Sequence, residues 1–107
     1  MRILHDLAVN PSPISSIDSN AFKTIQTCVS AVYDVISGPS LMIGNTDTRW
    51  YWNLSDNIFR FSPITISVHD LTMFHGVNER IEVDTLAEMV LFYAVLIQMC
   101  GDTDSME

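Results

Sequence analysis

The sequence predicts an α/β fold: helices packed on a mostly parallel sheet that is incomplete at its N-terminal side. Three observations lead there. Two stretches carry apolar residues at spacings of three and four, which gives each a single buried face in a helix. Short apolar or alternating runs of strand length lie before and between them. The resulting order is strand, helix, strand, helical turn, strand, loop, helix, and such alternation marks α/β organisation. So few strands make a poor independent sheet, so both helices are expected to cover part of a larger one.

Residues 1–9 alternate loosely and run into Asn10-Pro11-Ser12-Pro13. A residue before proline avoids the helical region, so a short strand followed by an extended link is expected, as at a domain boundary. Asp18 or Ser19 can cap a helix beginning near Asn20, whose stripe is Phe22, Ile25, Val29, Val32, Tyr33 and Ile36. Gly38-Pro39 ends it. Ser40-Leu41-Met42-Ile43 reads as a buried strand, closed by the polar turn Gly44-Asn45-Thr46-Asp47. Residues 48–54, with Trp50, Tyr51 and Trp52, suit a short helix, and residues 57–61 alternate like another strand. Residues 62–80 form a long irregular connection, the kind of loop that often carries function. Asp84 or Thr85 caps a final helix with an apolar face of Leu86, Met89, Val90, Tyr93, Leu96 and Ile97, stopped by Gly101. The polar tail 102–107 is expected to be mobile.

Composition narrows the class. The chain has 107 residues, 48% hydrophobic and 17% charged, with a formal charge of −8. That is a folding composition rather than a disordered one. Phosphate backbones demand clustered cations, and only Arg2, Lys23, Arg49, Arg60 and Arg80 are present, so no nucleic-acid partner is expected. No basic stripe faces an anionic membrane, and the apolar stretch 89–100 is short for a span and interrupted by Gln98. Residues 1–9 lack a signal peptide's apolar core, broken as they are by Arg2, His5 and Asp6. Cys28 and Cys100 fall inside helices in apolar settings and read as buried free thiols; a disulfide is possible by number but not supported by spacing.

Two places can carry chemistry. Gly44-Asn45-Thr46-Asp47-Thr48-Arg49 follows an apolar run, where Asp47 can orient a metal ligand and Arg49 hold a carboxylate. The plainer alternative is a capped turn, with Thr46 or Asp47 as N-cap and Arg49 on the surface. Met73-Phe74-His75-Gly76-Val77-Asn78-Glu79-Arg80 places a histidine in a glycine-containing loop, and neutral imidazole is a common zinc ligand. Glu79 and Arg80 stand close enough to support it. The alternative is an ordinary loop histidine, with Glu79 favoured by the dipole of the helix that follows. His69, beside Asp70, reads as solvated, and His5 is assigned nothing. Asn53-Leu54-Ser55 is a glycosylation sequon, relevant only in a secretory compartment.

Taken together, Asn10-Pro-Ser-Pro-Ile-Ser15, Ile43-Gly-Asn-Thr-Asp-Thr-Arg49, Ile58-Phe-Arg-Phe-Ser-Pro63 and Phe74-His-Gly-Val-Asn-Glu-Arg80 form a series. In order and spacing it resembles the C-terminal region of the carboxypeptidase S-like metallopeptidases, in particular their secreted N-fatty-acyl-amino-acid synthase/hydrolase branch; aminoacylase is a more distant relative. The resemblance covers about residues 8–100. It implies a catalytic domain with two zinc ions and an inserted lid. Residues 1–9 would be the lid's last strand and residues 10–101 the C-terminal portion of the catalytic domain. His75 would be the last zinc ligand, Arg49 a clamp for the substrate carboxylate, and Asp47 and Glu79 supporting residues behind them. The family's first zinc-binding histidine, bridging aspartate, general-base glutamate pair and further carboxylate ligand come from upstream sequence absent here. No catalytic group is therefore expected in this chain, and at most one metal ligand.

The reading is a C-terminal fragment of a zinc-dependent amidohydrolase or carboxypeptidase acting on N-acyl amino acids or on peptides with a free carboxylate. Its partners would be that substrate and the missing N-terminal catalytic half, in a secreted or secretory/vacuolar setting. The alternative is a non-catalytic interaction module, or a degenerate paralogue, docking through apolar helix faces such as residues 89–97.

Overall fold

The structure, a computed structural model, describes residues 11–41, 44 and 46–101. It is built on two helices, α1 (Asn20–Tyr33) and α2 (Val83–Gly101), with short 3-10 helices at Asp47–Trp50 and Asp70–Met73.

Helix α1 starts where the sequence places it. The Ser19 hydroxyl accepts from the Phe22 amide at 3.2 Å, satisfying one of the first-turn donors that no helix can satisfy itself. Its end comes earlier than Gly38-Pro39. Asp34 turns left-handed at φ 50° and its amide donates to the Ser30 carbonyl at 3.1 Å. Aspartate visits that region more readily than most residues because its short polar side chain can hydrogen-bond locally. Val35 and Ile36 therefore lie outside the helix and are exposed.

Among the described residues there is no strand, so the expected mostly parallel sheet with helices packed on it is not the architecture. The alternating run 57–61 finds no strand to pair with among the described residues. The Ser15 side chain takes the place of one. Its hydroxyl accepts from the Ile58 amide at 2.8 Å and donates to the Ile58 carbonyl at 3.0 Å. Nearby, the Asn57 side-chain oxygen accepts from the Ser16 amide at 3.1 Å. Alternating residues of this run face the helices instead of a sheet core. Phe59 packs on Phe22 with ring centroids 5.4 Å apart, and Phe61 on Phe92 at 5.0 Å. Pro63 is buried, and its carbonyl accepts from the Tyr33 hydroxyl at 2.9 Å. Leu41, in the other expected strand, is exposed, and Met42 and Ile43 lie outside the described residues. So do residues 1–9, where the first strand was expected, and the tail 102–107.

The core is the seam between α1 and α2. Cys28, Val29 and Phe92 are buried there, with Ile25, Val32, Tyr33, Val95, Leu96 and Met99 packed around them. The Cys28 thiol lies 3.3 Å from the Met99 sulfur. At 100° per residue, Thr85, Phe92, Leu96 and Met99 share one side of α2. The face expected from the sequence is thus rotated: Leu86, Val90, Tyr93 and Ile97 are exposed. Helix α2 also begins before the apolar stretch 89–100, and at 19 residues it is long and apolar enough to cross a membrane.

So small a core leaves the chain spread out. Its radius of gyration is 16.6 Å, where a compact chain of this length has about 13 Å. Its accessible surface is 9248 Å², against roughly 6,000 Å² for a compact protein of 12.0 kDa.

Candidate functional site

The loop carrying His75 is ordered by its own backbone. Ser67 opens the 3-10 helix: its carbonyl accepts from the Asp70 amide at 3.0 Å, and its hydroxyl donates to the Asp70 carboxylate at 2.6 Å. The Thr72 hydroxyl then donates to the His69 carbonyl at 2.9 Å. Directly after this helix the chain reverses. Phe74 has φ −59° and ψ 125°, His75 has φ 56°, and the Gly76 amide donates to the Met73 carbonyl at 2.9 Å. Those values describe a type II turn with histidine in the third position, which ordinarily belongs to glycine or asparagine. A side chain there costs on the order of 1 kcal/mol. His75 is exposed at the tip.

Gly76 has a different job. Its φ is not positive; rather, a Cβ there would sit 3.2 Å from the Thr72 carbonyl oxygen and 3.3 Å from that of Met73. Asn78, at φ 61°, makes a second left-handed bend. The His75-Gly76-Val77-Asn78 run is thus shaped by a strained histidine, a glycine where a Cβ would be tightly crowded, and an asparagine suited to its conformation.

Beside this turn lies an apolar cavity of about 320 Å³, lined by Ile64, Ile66, Met73, Phe74 and Ile81, with Asp70, Glu79 and Arg80 also lining it. Such a site can hold an apolar group while charged side chains meet its polar end. Glu79, singled out from the sequence, stands here, and Arg80 with it. Asp70 was not singled out, although the Ser67-x-x-Asp70 pattern signals the helix start that positions it.

Asp47 and Arg49 are held elsewhere, on Asp47–Trp50, and neither lines this cavity. The Thr46 hydroxyl caps that short helix, accepting from the Thr48 amide at 3.4 Å. Both residues are exposed, and the Arg49 guanidinium sits 4.8 Å from the centre of the Trp50 ring, within cation–π range. Asn53 is exposed in the turn that follows. A catalytic zinc ion usually takes three protein ligands. No group of three or more His, Cys, Asp or Glu side chains able to hold a metal occurs among the described residues. His75 and its neighbours do not make a zinc site by themselves.

Comparison with known proteins places the chain first in a class, that of peptidases and amidohydrolases. Over 91 residues it is 42% identical to a probable carboxypeptidase S-like 2 from Dictyostelium discoideum, a match covering 84% of this chain and 18% of that protein. It is 40% identical over 101 residues to the N-fatty-acyl-amino acid synthase/hydrolase of Homo sapiens, covering 91% of this chain and 20% of that protein. An uncharacterized carboxypeptidase from Schizosaccharomyces pombe is 33% identical over 91 residues, covering 79% of this chain and 15% of that protein. The chain belongs to this carboxypeptidase S-like and N-fatty-acyl-amino acid synthase/hydrolase family, and it spans about a fifth of the length of the curated relatives it matches. No protein-family profile matches it, and no solved structure matches it.

Proposed function

We propose that this chain is the C-terminal segment of the catalytic domain of a zinc-dependent amidohydrolase. The enzyme would split an amide between an acyl group or peptide and an amino acid with a free carboxylate. The observation that carries the reading is the 42% identity to a carboxypeptidase S-like protein over most of the chain. His75 supports it: an exposed imidazole held in a strained left-handed position is the kind of backbone outlier that collects at functional sites.

In this reading His75 contributes one metal ligand, and the rest of the zinc site comes from the larger part of the enzyme. Arg49, exposed beside the Trp50 ring, grips the substrate carboxylate through its two-pronged guanidinium. Asp47 and Glu79 orient their neighbours. Residues 1–9 end the inserted lid. The enzyme works in a secretory or vacuolar lumen, where exposed Asn53 is open to glycosylation.

The test is a chimera: carboxypeptidase S-like 2 with its matched segment replaced by this chain, assayed on N-acyl amino acids and on peptides. Hydrolysis is expected, abolished by chelator and reduced at least a hundredfold by His75→Ala, with Arg49→Ala acting mainly on KM. Unchanged turnover in the His75→Ala chimera would overturn the reading.

A further inference from the structure

We propose that the exposed apolar stripe of α2 is an internal docking face, covered in the complete protein by the body of the longer peptidase chain. The proposal rests on the reading of this chain as one segment of such a protein.

The stripe is Val83, Leu86, Val90, Tyr93 and Ile97, at steps of three, four, three and four. At 100° per residue these fall within about 80° of arc, centred roughly 120° from the side that packs on α1. The group contains no charge, and Val83, Val90 and Ile97 are 81%, 65% and 71% exposed. Asp84, Glu88 and Gln98 fall in a third sector. The helix thus has a packed side, a bare apolar side, and a third side where these polar residues share the surface with exposed Leu91. A helix that shows one apolar stripe to its partner and a second to water is built for two neighbours.

Three kinds of cover are conceivable, and the observations favour one. In a membrane, a helix is apolar toward lipid all round; here α1 takes one side and the carboxylates of Asp84 and Glu88 another. Within α2 no Lys or Arg is present, and Arg80, three residues before it, lines the cavity beside the His75 turn. A second copy brings another formal charge of −8 against the first, and one five-residue stripe falls short of the ~800 Å² per partner of a standard interface. The relatives, in contrast, are about five times longer than the matched segment, so a protein of this family has a body to lay against the stripe. The surface balance agrees. The chain exposes roughly 3,000 Å² more than a compact protein of its mass, which a large intramolecular contact would absorb and one small patch would not.

The experiment uses the same chimera and reads stability rather than activity, so a failed functional reading leaves it intact. Val90→Lys/Ile97→Lys is compared with Gln98→Lys, a change in the third sector. The stripe variant is expected to lower the melting temperature by more than about 5 °C or to abolish soluble protein, and Val90→Ala/Ile97→Ala to lower it by a smaller, measurable step. Gln98→Lys leaves it within about 1 °C. In the 107-residue chain alone, the stripe variant should leave the helix pair unchanged. Equal melting of the stripe and control chimeras would overturn the proposal, as would an unmutated chimera that never becomes soluble. Two further results would overturn it: dimerisation of the 107-residue chain lost in the lysine variant, or its stripe-dependent partition into neutral phosphatidylcholine vesicles.

Discussion

At the residue scale, His75 and Gly76 divide the work of one turn in an unexpected way. In a His-Gly pair, glycine is the natural occupant of positive φ, yet here the histidine takes it and the glycine supplies empty space. The two positions should answer differently to substitution. His75→Gly removes the left-handed cost but frees the unfolded chain, and these offset to within about 0.5 kcal/mol. His75→Val puts a branched side chain where it is least welcome and should cost about 1 kcal/mol or more. Gly76→Ala should also cost about 1 kcal/mol, because the atoms it meets are backbone oxygens that cannot step aside. Urea denaturation of the three variants checks the order. The sequence pointed to this histidine through its glycine-containing loop and the resemblance, but not to its backbone state, because composition carries no φ.

At the element scale, the α1–α2 seam holds two groups that resist losing a proton. Burial pushes the Cys28 thiol above its ordinary 9.0, and nearby Cys100 adds to this. Burial likewise raises Tyr33 above 10.0, with Glu88 and Tyr93 contributing, and the neutral hydroxyl is the form that donates to Pro63. For both groups the folded state holds the proton more tightly than the unfolded one. Their contribution to stability is therefore complete below pH 9 and is lost as pH rises through the raised values. The melting temperature should fall as pH rises above about 9; Cys28→Ala removes the earlier part of the fall and Tyr33→Phe the later. Both helices were legible, from Ser19 as cap and from the stripe of α1. The facing of α2 was not. Its apolar residues run almost all round, so periodicity left open which side met α1, and Phe92 was overlooked as the residue that anchors it. The run 57–61 shows the opposite error: alternation does mark an extended segment with two unlike sides, but what lies on the apolar side, sheet core or helix pair, is settled by distant partners.

At the scale of the whole molecule, the expectation of a sheet failed for want of neighbours. Strands exist only in pairs, and among the described residues the extended run finds a serine side chain instead. The same incompleteness governs the candidate site, where His75 and Glu79 share a loop, Arg49 is held elsewhere, and no set of metal ligands is assembled among the described residues. Equilibrium dialysis of the 107-residue chain should accordingly find no stoichiometric zinc at micromolar metal, since one imidazole does not hold the ion. A tightly bound equivalent would mean that this segment carries a site of its own.

The Ser15 hydroxyl serves both polar groups of Ile58 at once. Ladder pairing gives way rung by rung, but a clasp made by one side chain releases with a single rotation about its χ1 bond. What then still holds residues 57–61 is the packing of Phe59 on Phe22 and Phe61 on Phe92, with the Ser16–Asn57 and Arg60–Gly44 hydrogen bonds at their flanks.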